Sequence, residues 1–231
     1  MIDTLCVIQA RMGSTRLPGK VLKHIGRWPA IYHTYKRAQS AVPATVVATV
    51  ANEANAPLIE YLTCQGFSYH AWDGPEDDVL GRFAAVAKVF RPKVIVRLTA
   101  DCPFLDPDAI LFQLDRVAKH DPPFVSNVWP SRILPRGLDV EVVRIDALEA
   151  ADKYATDPFD REHVMPWLYR TLGGFMPTVP SGIRRWCLDT PEDLEWFRAV
   201  ATQVDTEPPH PTFSELTTLV ECCPELDRRE P

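Results

Sequence analysis

What the chain lacks narrows the field first. Its six cysteines form no Cys-x-x-Cys pair and no ladder with histidines, so the spacing of a structural zinc site is missing. No apolar run is long enough to cross a bilayer. The opening residues 1–13 join an early acid to a very short apolar run, unlike a secretory leader. These absences predict a cytoplasmic protein with no membrane partner. Positive charge is not in excess either. The formal net charge of −6 gives no broad electrostatic footprint for nucleic acid, although a local basic pocket for one small phosphate compound stays open. There is no internal repeat and no low-complexity linker.

What is present suits one globular domain. The chain has 231 residues, 46% hydrophobic and 24% charged, enough to bury a core. Leu5–Ile8, Thr45–Val50, Phe67–Ala71 and Val94–Leu98 read as short buried strands. Ala30–Ser40, Ala56–Gln65 and Val79–Phe90 read as helices between them. The alternation predicts an α/β fold, a mostly parallel sheet flanked by helices, with ligands at the carboxyl ends of the strands. The second half is less regular. Helices are expected at Pro107–His120, Ile145–Tyr154, Asp160–Arg170 and Pro191–Thr202, and strands at Phe124–Val128, Leu138–Val143 and Ile183–Leu188. The proline-bearing tail from about Glu207 reads as a loose wrap. The expected organisation is a single domain, 1–231, with a protruding segment at about 127–170.

The chemistry-bearing residues follow the strands. After the first comes Ala10-Arg11-Met12-Gly13-Ser14-Thr15-Arg16-Leu17-Pro18-Gly19-Lys20. Glycines let backbone amides approach a phosphate, and arginine and lysine neutralise it. It is not a P-loop, since Val21 stands where Ser or Thr is needed. The plain alternative is a solvated basic loop. Asp101 follows the strand 94–98, where a carboxylate suits Mg²⁺ held jointly with substrate phosphates. Asp106 is the better cap for the helix at Pro107, which leaves Asp101 free. Asp189 also ends an expected strand. It reads either as a cap beside Thr190 or as a second metal carboxylate. Asp139 and Glu141 are expected on one strand face, with Arg136, Arg161 and His163 close in sequence, as an acceptor pocket. A solvated face with helix-surface ion pairs is the alternative. Asp73, Glu76, Asp77 and Asp78 form an acidic turn read mostly as helix capping.

Six of these stretches, in order over roughly residues 5 to 200, resemble a known family. Gln9 to Lys20 is similar to the opening signature of the cytidylyltransferases that make CMP-Kdo and CMP-sialic acid, with the best match to the spore-coat polysaccharide branch. Asp77-Asp78-Val79-Leu80-Gly81-Arg82-Phe83, Arg97-Leu98-Thr99-Ala100-Asp101-Cys102-Pro103, Arg136-Gly137-Leu138-Asp139-Val140-Glu141, Arg161-Glu162-His163-Val164 and Leu188-Asp189-Thr190-Pro191-Glu192-Asp193-Leu194 continue the match. Gln9 stands where the Kdo and sialate enzymes usually have Pro, and residues 52–57 depart from an acidic pattern.

The resemblance implies a Rossmann-like nucleotidyltransferase fold, usually dimeric. It implies transfer of CMP from CTP to a sugar acid or related small acceptor, with Mg²⁺ as cofactor and release of pyrophosphate. Ala10, Arg11, Gly13, Ser14, Arg16 and Lys20 would bind the nucleotide, with Arg11, Lys20 and Asp101 catalytic. Asp101 and Asp189 would hold the metal. Arg136, Asp139, Glu141, Arg161 and His163 would face the acceptor. His163 reads equally as a general base or as a satisfied helix histidine. Two other classes stay in view. A glycosyltransferase using a nucleotide-sugar would draw on Asp106-Pro107-Asp108, and a non-catalytic nucleotide-binding protein would be favoured had the basic loop or Asp101 been lost, whereas both are present.

Overall fold

Short apolar and β-branched runs make the centre of the molecule. The computed structural model describes residues 3–132, 134–173, 176–178 and 182–229. Strand β1 (Thr4–Gln9) is followed by a small hairpin, β2 (His24–Ile25) and β3 (Trp28–Pro29). Helix α1 (Ala30–Ala41), β4 (Thr45–Val50), α2 (Ala56–Cys64), β5 (Tyr69–Trp72), α3 (Val79–Phe90) and β6 (Val94–Thr99) complete the alternation. Then come α4 (Pro107–His120), β7 (Phe124–Ser126) and β8 (Glu141–Arg144).

These strands form a six-stranded sheet in the order β5-β4-β1-β6-β8-β7. β5, β4, β1 and β6 run parallel, while β8 is antiparallel to both β6 and β7. The chain winds outward from β1 to β5, then returns to the other side of β1 as β6. The crevice between the carboxyl ends of β1 and β6 is therefore the switch point, where such sheets bind ligands.

Register sets what each face carries. Leu5, Val7, Val46, Ile95 and Val143 pack against α3, α5 (Ile145–Tyr154) and α7 (Pro166–Leu172), with Phe83, Leu148 and Leu168 fully buried. Cys6, Ile8, Val47, Val96 and Val142 face α1, α2 and α4. Val7 stands beside Arg97, Gln9 beside Thr99, and Glu141 opposite both Arg97 and Ser126. One sheet face thus turns from apolar to polar as it nears the carboxyl edge. A third cluster joins Ile25, Phe104 and Trp186 to α8 (Pro191–Ala201) and α9 (Phe213–Cys222).

Four expectations need correction. The helix expected over Asp160–Arg170 is two helices, α6 (Pro158–His163) and α7. Between them Val164 adopts φ 69° and ψ −56°, and Met165 N–H donates to the His163 carbonyl at 2.8 Å. This is a γ-turn of the strained kind, here on a fully buried β-branched residue. Pro166, with no N–H to give, then opens the next helix.

The strand expected from Leu138 begins only at Glu141. Asn127 takes over the pairing ahead of it, donating to the Leu138 carbonyl (2.6 Å) and accepting from Val140 N–H (2.9 Å). Asp139 therefore precedes the strand instead of sharing a strand face with Glu141. The segment 183–188 forms isolated bridges, Arg136 to Arg185 and Arg184 to Arg229, and no regular strand. The tail holds a helix. Thr212 and Glu215 form a capping box at the start of α9, and Leu216 and Val220 are buried.

The segment about 127–170 supplies Val128, Leu148, Val164, Met165 and Leu168 to the same core as β1 and α3; Ile133 within it lies outside the described residues. No helix among the described residues is long and apolar enough to cross a membrane.

Candidate active site

The loop after β1 is held in shape by its own backbone. Ser14 and Gly19 N–H groups both donate to the Met12 carbonyl, at 2.9 and 3.1 Å. Met12 N–H donates to Asn55 Oδ1 at 2.8 Å, which ties the loop to the residue before α2. Gly19 sits at φ 66°, a left-handed conformation that glycine adopts without a Cβ penalty. That turn sends Lys20 back across the sheet edge. At Gly13 a Cβ would stand 2.4 Å from Glu76 Oε1, so only hydrogen fits while Glu76 keeps its 3.3 Å pair with Arg11.

Lys20 is the centre of the arrangement. Its Nζ lies 2.8 Å from Asp101 Oδ2 and 2.8 Å from Asp189 Oδ1. Asp101 follows β6, and Asp189 stands just before α8. A backbone bond from Leu188 N–H to the Asp101 carbonyl, 2.8 Å, sets the two side by side. Arg16, largely exposed, lies 3.3 Å from Asp189 Oδ2, and Arg185 donates to that same oxygen at 2.8 Å. Burial opposes charge on Asp189, but Lys20, Arg185 and Arg16 outweigh it and hold the carboxyl well below the usual carboxylate range. Burial also works against the Lys20 ammonium, and Asp101 and Asp189 reverse that, raising its pKa. Thr190, in a capping box with Asp193, caps α8. Asp189 is thereby spared that duty.

The cleft above these residues has a volume of about 550 Å³. Its far half is floored by the polar end of the sheet. Glu141 pairs with Arg97 and accepts from the Tyr169 hydroxyl, which also reaches Ser126 Oγ at 3.2 Å. Burial and the neighbouring Glu141 push the Tyr169 hydroxyl far up, so it stays a neutral donor. Arg132 grips Asp139 with both terminal nitrogens, one at 2.8 Å. Burial lowers Arg82, beside Arg11, to about 10.

Most of the residues singled out from sequence meet here. Ala10, Arg11, Gly13, Ser14, Arg16, Lys20, Asp101, Asp189, Arg136, Asp139, Glu141 and His163 all line the cleft. Arg161 is placed elsewhere: it makes two 2.8 Å bonds to Asp78 and one of 2.9 Å to Asp152, joining α3 to α5. Asp78 also caps α3, as the reading of the acidic turn supposed, whereas Glu76 turns to Arg11. Asp106 caps α4 through Asp108 N–H (2.8 Å) and also accepts from Phe213 N–H (2.6 Å), so the Asp-Pro-Asp spelling serves a helix start. Sequence reasoning missed Asn55, Arg97, Arg132 and Tyr169. Only Arg97 gave a signal, a charge inside an apolar strand run.

A cleft at the switch point of such a sheet, with a basic loop facing carboxylates, defines an α/β enzyme that handles nucleotides. Comparison with known proteins narrows the class. The profile of the family described as "Cytidylyltransferase" matches residues 5–207. The spore coat polysaccharide biosynthesis protein SpsF of Bacillus subtilis is 34% identical over 235 aligned residues, covering 95% of either chain. A solved cytidylyltransferase from Leptospira borgpetersenii superposes with a TM-score of 0.86 at 26% identity, covering 100% of this chain and 99% of that one. A CMP:2-keto-3-deoxy-manno-octonic acid synthetase solved with CTP shares the fold, with a TM-score of 0.65 at 21% identity over 87% of this chain and 99% of the other. The chain belongs to the cytidylyltransferase family and is a nucleotidyltransferase.

Proposed function

We propose that the protein transfers CMP from CTP to a sugar acid or related small acceptor in the supply of surface polysaccharide or glycan precursors, releasing pyrophosphate. The observation that carries this reading is the meeting of Lys20 and Arg16 with Asp101 and Asp189 at one point of the switch-point cleft. The loop cations suit a triphosphate. Arg11, Arg16 and Lys20 hold it, with the backbone at Ala10, Gly13 and Ser14 framing the nucleotide, and Lys20 and Arg16 neutralise charge that builds on the leaving pyrophosphate. An acceptor oxygen attacks the α-phosphorus in line with that group, and positioning supplies much of the rate.

The donor set also suits Mg²⁺. Asp101 and Asp189 present hard oxygens that converge on one point, the number of carboxylates this ion takes alongside substrate phosphates and water. When bound there, Mg²⁺ would neutralise phosphate charge and favour deprotonation of the attacking oxygen. Arg136, Asp139, Glu141 and His163 face the acceptor from the far half of the cleft, joined by Arg97, Arg132 and Tyr169. Arg161 acts at one remove, by fixing Asp78 and the start of α3. The working unit is a cytoplasmic homodimer.

The test is pyrophosphate release with magnesium, each of the four nucleoside triphosphates being paired with a panel of sugar acids, sugar phosphates and phosphonates. Release that requires CTP and one acceptor is expected. Release with no pair, beside tight binding of a nucleotide-sugar, would replace this reading with glycosyl transfer.

A further inference from the structure

We propose that Lys20 is the resident counter-ion of the metal site, and that a divalent cation enters only once nucleotide polyphosphate has drawn Lys20 away. The proposal rests on the reading of Asp101 and Asp189 as metal ligands. It adds an order of events and the residue that imposes it.

Asp101 Oδ2 and Asp189 Oδ1 each lie 2.8 Å from the same ammonium nitrogen. A hard divalent cation wants those same oxygens at about 2.0–2.1 Å. Ammonium and metal cannot share them. The Lys20 side chain is 15% exposed and that of Asp189 9%, so the contact is poorly screened by water and holds firmly against a dilute cation. Arg16 and Arg185 add further positive charge around Asp189. Lys20, Arg16 and Arg185 thus neutralise the two carboxylates, and a metal ion arriving alone gains little.

The backbone fixes how the block is lifted. The loop is closed by Gly19 N–H to Met12 O (3.1 Å), Lys20 N–H to Leu17 O (3.1 Å) and Met12 N–H to Asn55 Oδ1 (2.8 Å). Lys20 therefore departs by side-chain rotation, with its Cα in place, on a flexible four-carbon stem. A triphosphate in the cleft offers it, and the more exposed Arg16, oxygens of higher charge than a lone carboxylate. As Lys20 swings to phosphate, the two oxygens facing it, Asp101 Oδ2 and Asp189 Oδ1, are released together, while Asp189 Oδ2 stays with Arg185. The exchange replaces one ammonium between the two carboxylates with one divalent ion, and it makes metal binding conditional on the substrate.

The probe is Mn²⁺ alone, titrated calorimetrically and by the electron spin resonance of the free ion, on the full chain without nucleotide. Wild type is expected to bind Mn²⁺ weakly. Lys20→Met is expected to bind it about tenfold tighter or more, the size of one charge-assisted contact, and Asp101→Asn added to Lys20→Met is expected to abolish the gain. Equal affinity in wild type and Lys20→Met would overturn the proposal while leaving the metal site standing. Absence of Mn²⁺ binding in both Lys20→Met and CTP-loaded wild type would overturn the metal reading itself, and the proposal with it. A second measurement needs no variant. The ¹⁵N resonance of the Lys20 ammonium is expected to move when CTP is added in EDTA, and an unmoved resonance would overturn the proposal.

Discussion

The two halves of the cleft spend charge differently. In the loop half, two carboxylates share one ammonium, and Asp189 draws in Arg16 and Arg185 as well. In the far half, Glu141 has Arg97 and Asp139 has Arg132. The first arrangement is a pool of charge that a ligand can redistribute. The second is a set of closed pairs, one rooted in β6 and β8 and the other in the segments just before β8, that gives shape and directed hydrogen-bond donors. One half is built to change partners and the other to keep them.

The comparison predicts where substitutions act. Glu141→Ala should strike stability hardest, since it leaves the Arg97 guanidinium buried without its partner. A loss of about 3–5 kcal/mol is expected by denaturant titration, and a loss under about 1 kcal/mol would mean that the floor pairs are as exchangeable as the loop ones. Asp101→Ala should leave the fold intact by circular dichroism and cut turnover by about two orders of magnitude or more. Near-normal turnover in a folded protein would remove Asp101 from the chemistry. Asn55→Ala should cost about 1–3 kcal/mol by loosening the loop at Met12 N–H, and its kinetic signature should be a raised KM for nucleotide.

The smallest effect concerns acid. The folded pKa of Asp189 is depressed, so its stabilising contribution is complete above the unfolded value of about 3.9 and is lost as pH falls below it. Wild type and Asp189→Asn should therefore keep a constant difference in melting temperature from pH 8 down to about 5 and converge only below about pH 4. Convergence near neutrality would show that Asp189 is not held as described.

Much of the frame was legible in the sequence because single segments carried the signal. α3, α4, α5 and β4 fall on the predicted bounds, since apolar period and an N-cap such as Asp106 or Asp78 are local facts. The helix α9 was legible too, through Thr212 and Glu215, but the prolines ahead of it drew attention to a loose chain. Other features were not local. Nothing in the sequence near Val164 shows that packing would hold it at φ 69°, or that Asn127 would stand in for a strand.

The site divides in the same way. The loop cations, Asp101 and Asp189 stood out as polar residues beside apolar strands. The mutual neutralisation of Lys20, Asp101 and Asp189 depends on topology, as does the pairing of Arg97 with Glu141, because the sequence does not state which strand lies beside which. Arg161 shows the converse. It matched a motif, yet its partners are Asp78 and Asp152.

The distance along the chain between Lys20 and Asp189 also has a consequence in time. They lie 169 residues apart in sequence. At about 5–20 residues per second, a ribosome needs on the order of 10–30 s to make the second after the first. During that interval β1, β4 and β6 can already assemble with the basic loop projecting from them. The nascent chain thus carries the basic loop before it owns Asp189, and the ion pair of that carboxylate with Lys20 closes only after residue 189 has been made.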